Sequence, residues 1–249
     1  MKRLITHILL LILTCSAFAS TEKLNYVVTY KWGIIQKDAG DVEIYTTPHG
    51  NGYELKLIAK TKPWADHIYK VRDTLVSITE KQRYRPLNYT YIAHEKNRFR
   101  KDLINFSYSG NNVTAHAEKV REDKKGNIKN SSAVLEASGP TYDMLSVYFF
   151  IRDLDYANMK PGENTNATII SGTKKENLEV KFLGKERVKL SDKSEHDAWH
   201  ITFKFTQQEG KKSSDDINCW ISDDDRHIPL LIIGNLPIGQ VRVNYLANP

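Results

Sequence analysis

A mainly β chain, folded as a single curved antiparallel sheet that forms an open or half barrel around one central helix, is what three features of the sequence predict. Short runs of period-two alternation, rich in Val, Ile, Thr and Tyr, recur from Leu24 to Leu246, which is the spacing of half-buried strands. Gly, Asn and Asp gather between those runs, where turns need them. Only one segment, "GPTYDMLSVYFFIRDLDY" from Gly139 to Tyr156, carries a sustained helical stripe.

The elements follow in order. Lys2 and Arg3 precede the apolar run "ILLLIL" from Ile8 to Leu13, and small residues end at Ala17, Phe18 and Ala19. A basic start, a short apolar core and an A-x-A end predict a signal peptide over residues 1–19 and an exported, periplasmic or secreted chain. A lipid anchor at Cys15 is the alternative, and Thr14 just before it argues against one. Residues 20–249 then make one all-β domain. "LNYVVTYKW", "GDVEIYTT" and "GYELKLIAKT" read as strands. In "KPWADHIYK", Pro63 suits a first helical position while Trp64, Ile68 and Val71 share a face, so a short helix is expected. Strands resume through "NVTAHAEK", and the polar stretch Arg121 to Ser132 reads as a mobile loop. The main helix is placed near residues 141–152, with Thr141 or Asp143 as its cap and Leu145, Tyr148, Phe149 and Arg152 at helical spacing. Being apolar nearly all round, it should pack against or inside the curved sheet. Six further runs, from "NATIIS" to "GQVRVNYL", bring the strands to a dozen or more.

Composition bounds the function. The formal net charge is +6, and removing Lys2 and Arg3 leaves +4, too mild an excess for a nucleic-acid binder. With Cys15 gone in the leader, Cys219 is the sole thiol, so no intrachain disulfide is available. No stretch of the mature chain has the length and apolarity of a transmembrane helix. No nucleotide-binding, serine-hydrolase or paired-cysteine motif is present.

The densest chemical cluster, "ISDDDRHIPL" from Ile221 to Leu230, lies between two apolar runs and reads as a hairpin turn, since it lacks the spacing and glycine of a calcium loop. His196 and His200 are four apart but sit in an alternating strand, and His94 with Glu95 opens a zinc motif that Arg98 leaves unfinished. No metal, cofactor or catalytic residue is assigned. The distributed signal is aromatic and basic alternation over residues 83–108, suited to glycans, lipid head groups or an anionic polymer. "GNLPIGQ", Gly234 to Gln240, puts an apolar tip where a polar turn is usual.

Four stretches in order, "YKVRDTLVSITEKQRYRPLNY", "GPTYDMLSVYFFIRDLDYANMKPGE", "LEVKFLGKERV" and "CWISDDDRHIPLLIIGNLPIGQVRVNYL", resemble the envelope family known as domain of unknown function 3108. The matching motif residues are Arg72 and Asp73; Tyr142, Asp143, Leu145 and Ser146; and Trp220, Ser222, Asp223 and Pro229. The resemblance implies export and a β-rich fold, by analogy a half barrel like the periplasmic lipoprotein carriers, and it carries no activity. The leading expectation is a non-enzymatic envelope protein that binds a lipid, glycolipid or other apolar ligand, or an envelope partner, in its concavity. Trp64, Tyr89, Tyr91, Tyr148 and Arg242 are the candidate lining residues. The rivals are an envelope hydrolase built on acids such as Asp73 and Asp143, which would need converging carboxylates, and a scaffold that binds a protein along a long uncovered apolar edge strand.

Overall fold

A computed structural model describes residues 20–207, 216–236 and 239–247. The expected signal peptide, Cys15 within it, and Pro237 and Ile238 of the apolar tip lie outside the described residues. The first eight strands are β1 (Glu22–Trp32), β2 (Ile35–His49), β3 (Gly52–Thr61), β4 (Val71–Glu80), β5 (Pro86–Glu95), β6 (Arg98–Ser109), β7 (Asn112–Glu122) and β8 (Ile128–Ser138). The remaining seven are β9 (Thr141–Asp143), β10 (Asn164–Ser171), β11 (Lys174–Lys189), β12 (Glu195–Gln207), β13 (Ile217–Ser222), β14 (Pro229–Asn235) and β15 (Gln240–Leu246). Two short helices complete the described residues, α1 (Pro63–Tyr69) between β3 and β4, and α2 (Val147–Arg152) after β9. All fifteen strands and all three buried clusters fall between Glu22 and Leu246.

The strands form one sheet in the order β8-β7-β6-β5-β4-β3-β2-β1-β15-β14-β13-β12-β11-β10-β9. Sequence neighbours are sheet neighbours except for β8 and β9, which lie at opposite edges, and β1 also pairs with β15, from Asn25↔Leu246 to Lys31↔Gln240. Every ladder is antiparallel apart from β9 with β10. The alternating connections therefore fall at two ends of a nearly closed barrel. One end, here the rim, carries the β1–β2, β5–β6, β7–β8, β10–β11 and β14–β15 turns and α1; the other, the base, carries the β2–β3, β4–β5, β6–β7, β8–β9, β11–β12 and β13–β14 connections.

Local chemistry explains the turns. At Gly52 a Cβ would stand 1.8 Å from the carbonyl oxygen of Thr79, so only glycine lets β3 and β4 approach there. Pro63 starts α1. The stretch after Arg121 is not the loop its polarity suggests: β7 runs to Glu122 and β8 restarts at Ile128. Asp123 Oδ1 accepts from the amides of Lys125 (2.7 Å) and Asn127 (3.0 Å), an Asx turn that ends one strand and starts the next.

The helix also differs from expectation. Thr141–Asp143 is a strand paired with Thr168, Ile169 and Ile170, and the helix spans Val147–Arg152 alone. Asp143 is the cause: its Oδ1 accepts from the amides of Leu145 (2.7 Å) and Ser146 (2.8 Å), while its own amide donates to Ser146 Oγ (3.0 Å). That ring of side-chain bonds competes with a helical turn. α2 then lies between two buried clusters. Tyr148 and Phe149 join Leu24, Tyr26, Leu55, Tyr89 and Ile104, whereas Val147 and Ile151 join Ile169, Leu178, Phe182, Ile201 and Cys219.

Among the described residues β8 and β9 share no ladder. The edge strand β9 is tucked onto the concave face instead, where Ser77 of β4 donates to Asp143 Oδ2 at 2.6 Å. Lys175 Nζ crosses the seam to the carbonyl oxygen of Glu136 at 2.5 Å.

Candidate functional site

Register decides which side chains meet. Asp73, Ala93, Arg100 and Arg121 are partners across β4, β5, β6 and β7, and Leu75, Tyr91, Asp102 and Lys119 are the next row but one. Direct partners share a face and alternate residues do too, so both rows face the concavity near the rim. The rows beyond are apolar, with Tyr89, Ile104 and Ala117 in the next. The concave wall thus changes from packed hydrocarbon to charge as it approaches the rim.

At that end the wall opens into a basin of about 760 Å³. Tyr91 and Ala93 supply its apolar surface, and Arg98, Arg100, Arg121, Lys124, Lys125 and Lys129 border it against Glu95, Glu122 and Asp123. Asp123 is committed to its turn, and the Asn127 side chain and amide hold its carboxyl below the usual range.

The floor is a linked set. Arg100 Nε lies 3.0 Å from both oxygens of Asp102, and its NH2 completes an ion pair with the 1 % exposed carboxylate. The same guanidinium stands over the Tyr91 ring, 4.9 Å from the centroid. Tyr91 donates its phenolic hydrogen to Asp73 Oδ2 at 2.9 Å. Burial lifts the Asp73 carboxyl above its ordinary range, opposed by the Tyr91 bond; burial also raises the Tyr91 phenol. Lys119 is lowered, first by burial and then by Arg100 beside it. With Asp102 already satisfied, the cations Arg121, Lys124, Lys125 and Lys129 are left facing an open, positively charged hollow with an aromatic floor. Such a hollow can hold a phosphate or carboxylate with an apolar group beneath it.

The concavity brings together three of the five sequence-predicted lining residues. Tyr89 and Tyr148 are buried in one cluster, and Tyr91 lies between that cluster and the basin. Trp64 sits on α1 at the rim, where its Nε1 donates to the Asp38 carbonyl oxygen at 2.7 Å and Lys37 Nζ lies 4.3 Å from its ring. Arg242 is half-buried on the face opposite Val243, in register with Thr29 and Ile233. Sequence reasoning passed over Asp102, Lys119 and Arg121. The parity of β6, in which Arg98, Arg100 and Asp102 alternate in phase with Ile104 and Phe106, is the signal that places them on the inner face.

The other chemical clusters have structural partners. Asp224 Oδ1 accepts from Ser222 Oγ (2.7 Å) and the Arg226 amide (3.1 Å), Ser222 Oγ accepts from the Ile228 amide, and the His227 ring bonds the Arg152 carbonyl oxygen at 2.7 Å. Lys185 pairs with Asp223. His200 stacks on Trp220 with centroids 4.4 Å apart and bonds Asn218 Oδ1. Cys219 is buried mid-strand, which pushes its thiol up. Asp143 is fully buried with Ser77, Leu145 and Ser146 as donors, so it is a structural acceptor. Among the described residues no group of three or more His, Cys, Asp or Glu is placed to hold a metal ion. A smaller hollow at the base, about 370 Å³, is bordered by Arg83, Arg85, Tyr108 and Tyr142; Arg85 there is already paired with Glu80 and stacked on Tyr108.

Comparison with known proteins agrees with this architecture. The model of a family described as "Protein of unknown function (DUF3108)" matches residues 25–245. A crystal structure of a β-barrel-like protein of domain of unknown function DUF1849 from Brucella abortus is similar, with a TM-score of 0.60 at 10 % identity, over 91 % of this chain and 96 % of that one. At that identity the likeness speaks for the fold alone. No curated protein matches the chain.

Proposed function

The chain belongs to the DUF3108 family of proteins of unknown function, and we propose that it is an exported envelope protein that binds an anionic amphiphile, non-enzymatically, in the basin at the barrel rim. The basin is the observation that carries this reading: about 760 Å³, open, with six Arg and Lys against three acids over an aromatic floor. Tyr148 and Phe149 of α2 pack in one buried cluster with Leu24, Tyr26, Leu55, Tyr89 and Ile104, which supports binding at the rim over binding of an acyl chain between them. The acidic head is held by Arg121, Lys124 and their neighbours, and the first carbons of the tail lie on Tyr91 and Ala93. Export rests on the Lys2–Ala19 leader pattern, and the analogy with lipoprotein carriers is part of the proposal, as a curved sheet around a helix and not an open tunnel.

The hydrolase reading loses its acid pair, because Asp143 is capped by its own turn and Asp73 is held by Tyr91. The scaffold reading has a candidate edge in β8, but its free end reads "IKNSS", a polar and lysine-bearing run of the type that discourages strand addition.

Titration of residues Ser20–Pro249 with dodecyl phosphate by calorimetry tests the proposal, alongside native mass spectrometry of the protein purified from its own envelope. Saturable binding that Arg121→Glu/Lys124→Glu weakens about tenfold is expected, a change of about 1.4 kcal/mol. No binding, or binding unaffected by the charge reversal, refutes it.

A further inference from the structure

The two ends of the barrel differ in charge and in what they expose. Among the described residues of the rim, 31–37, 61–71, 95–98, 121–129, 171–175 and 216–217 hold twelve Lys and Arg against five Asp and Glu. At the base, residues 48–52, 80–86, 109–112, 138–164, 189–195 and 222–229 hold eight against ten. Large apolar side chains follow the positive charge. Trp32 is 58 % exposed, Ile34 fully so and Ile35 55 %, all in the β1–β2 hairpin. Ile68 and Tyr69 of α1, Ile128 after the β7–β8 turn and Leu236 of the β14–β15 tip are exposed at the same end.

The hairpin is built to project. Trp32 pairs with Ile35 across a two-residue turn, Gly33 takes φ +56°, and nothing lies within 4 Å of where its Cβ would be. The β14–β15 tip is fixed beside it, because a Cβ on Gly239 would stand 2.5 Å from the Lys31 carbonyl oxygen. The β1–β2 tip thus projects, with Lys31 and Lys37 flanking it.

We propose that the rim seats on the surface of an anionic lipid bilayer, with Trp32, Ile34 and Ile35 entering the interface and the surrounding Lys and Arg contacting lipid head groups. An indole at the head-group level with aliphatic side chains below it is the arrangement that a membrane interface favours. The excess of cations on this end alone is the complement of an anionic surface, and polybasic contacts of this kind add up along a membrane. Among the described residues no helix is long and apolar enough to cross a membrane, and the contact proposed is a peripheral one. This inference goes beyond the basin reading and does not rest on it, since the projecting tip is separate from the hollow.

The test is co-sedimentation of residues Ser20–Pro249, which contain the whole sheet, with vesicles of phosphatidylcholine alone and of equimolar phosphatidylcholine and phosphatidylglycerol. Partitioning at least tenfold stronger onto the anionic vesicles is expected. The variant Trp32→Ser/Ile34→Ser/Ile35→Ser should lose at least tenfold of it while keeping its melting temperature and its affinity for dodecyl phosphate. Lys31→Glu/Lys37→Glu should lose the preference for phosphatidylglycerol. Equal partitioning onto both vesicles, no partitioning, or an unaltered tip variant overturns the proposal. So does a concentration-dependent dimer that the tip variant abolishes without any vesicle binding, which would mean that a second copy covers the tip. Vesicle binding without dodecyl phosphate binding would sink the basin reading and leave this one standing.

Discussion

Ser77 and Asp143, 66 residues apart, are joined by a 2.6 Å hydrogen bond in which the serine hydroxyl donates to a fully buried carboxylate. The bond fastens the edge strand β9 to the concave face of β4 where no backbone ladder does so. Burial lifts the Asp143 carboxyl, and the bonds from Ser77, Ser146 and Leu145 oppose that rise. Ser77→Ala removes a donor from a charged, buried acceptor, so stability should fall by about 2 kcal/mol. For a chain of this length that is a drop of about 4–8 °C in Tm. Urea and thermal unfolding of the variant check it, and an unchanged midpoint would show that the seam does not depend on this contact.

The pair Asp73 and Tyr91 sets a pH dependence. Burial raises the Asp73 carboxyl above its unfolded value, so between those two values the folded state holds more protons than the unfolded one. Its contribution is therefore fully present below the unfolded value of about 4 and declines as pH rises through the folded one. Asp73→Asn should flatten that decline, and Tyr91→Phe, which removes the opposing bond, should extend it to higher pH. Urea midpoints compared between variant and parent from about pH 4 to about pH 7 read this out; parallel curves would be the contrary result.

Arg72 holds α1 to β4 through Asp66, with NH2 to Oδ2 at 2.7 Å and NH1 to Oδ1 at 3.0 Å, and reaches Thr61 Oγ1 at 3.0 Å. Both partners are partly exposed, so Arg72→Ala should cost only about 0.5–1 kcal/mol globally. The local effect should be larger. Amide exchange within Pro63–Tyr69 should speed up severalfold while exchange in β4 stays slow, and uniform acceleration across both would show that the clamp is not local.

Binding of dodecyl phosphate in the basin should be salt-dependent. Arg121, Lys124, Lys125 and Lys129 are on the open side of the hollow, where charges more than about 8–10 Å apart are screened at physiological ionic strength. Calorimetry between about 50 mM and about 500 mM salt should show affinity falling about tenfold, and a salt-independent Kd would place the ligand elsewhere.

Much of the barrel was legible in the residues because period-two alternation is a local code. The runs around Val27, Leu55, Ile104, Val180 and Ile201 all announce strands, and fifteen were found where a dozen or more were expected. The helix was overextended because Thr141 to Asp143 look equally good as a cap, and only pairing with Thr168–Ile170 makes them a strand. Polarity misled at Arg121 to Ser132, since an edge strand with one solvated side needs no apolar residues. The site was half legible. Tyr91 and Arg100 belong to the aromatic and basic alternation that stood out, but their convergence with Asp73, Lys119 and Arg121 depends on ladder register across four strands, which no single segment records. Arg242 shows the converse: it is on the face opposite Val243, a parity that its neighbours in sequence do not reveal.

The pairing of β1 with β15 also has a temporal meaning. Glu22–Trp32 is among the first segments of the sheet to leave the ribosome, and its second partner, Gln240–Leu246, is the last. Loop-closure entropy over more than two hundred residues must be met before that ladder forms. Until then the growing chain has an unsatisfied strand edge, so the barrel cannot be completed co-translationally from its N-terminal half. A barrel that stays unlatched until its final strand arrives is one whose closure, though not the folding of its local hairpins, can be delayed by anything that covers the β15-facing edge of β1.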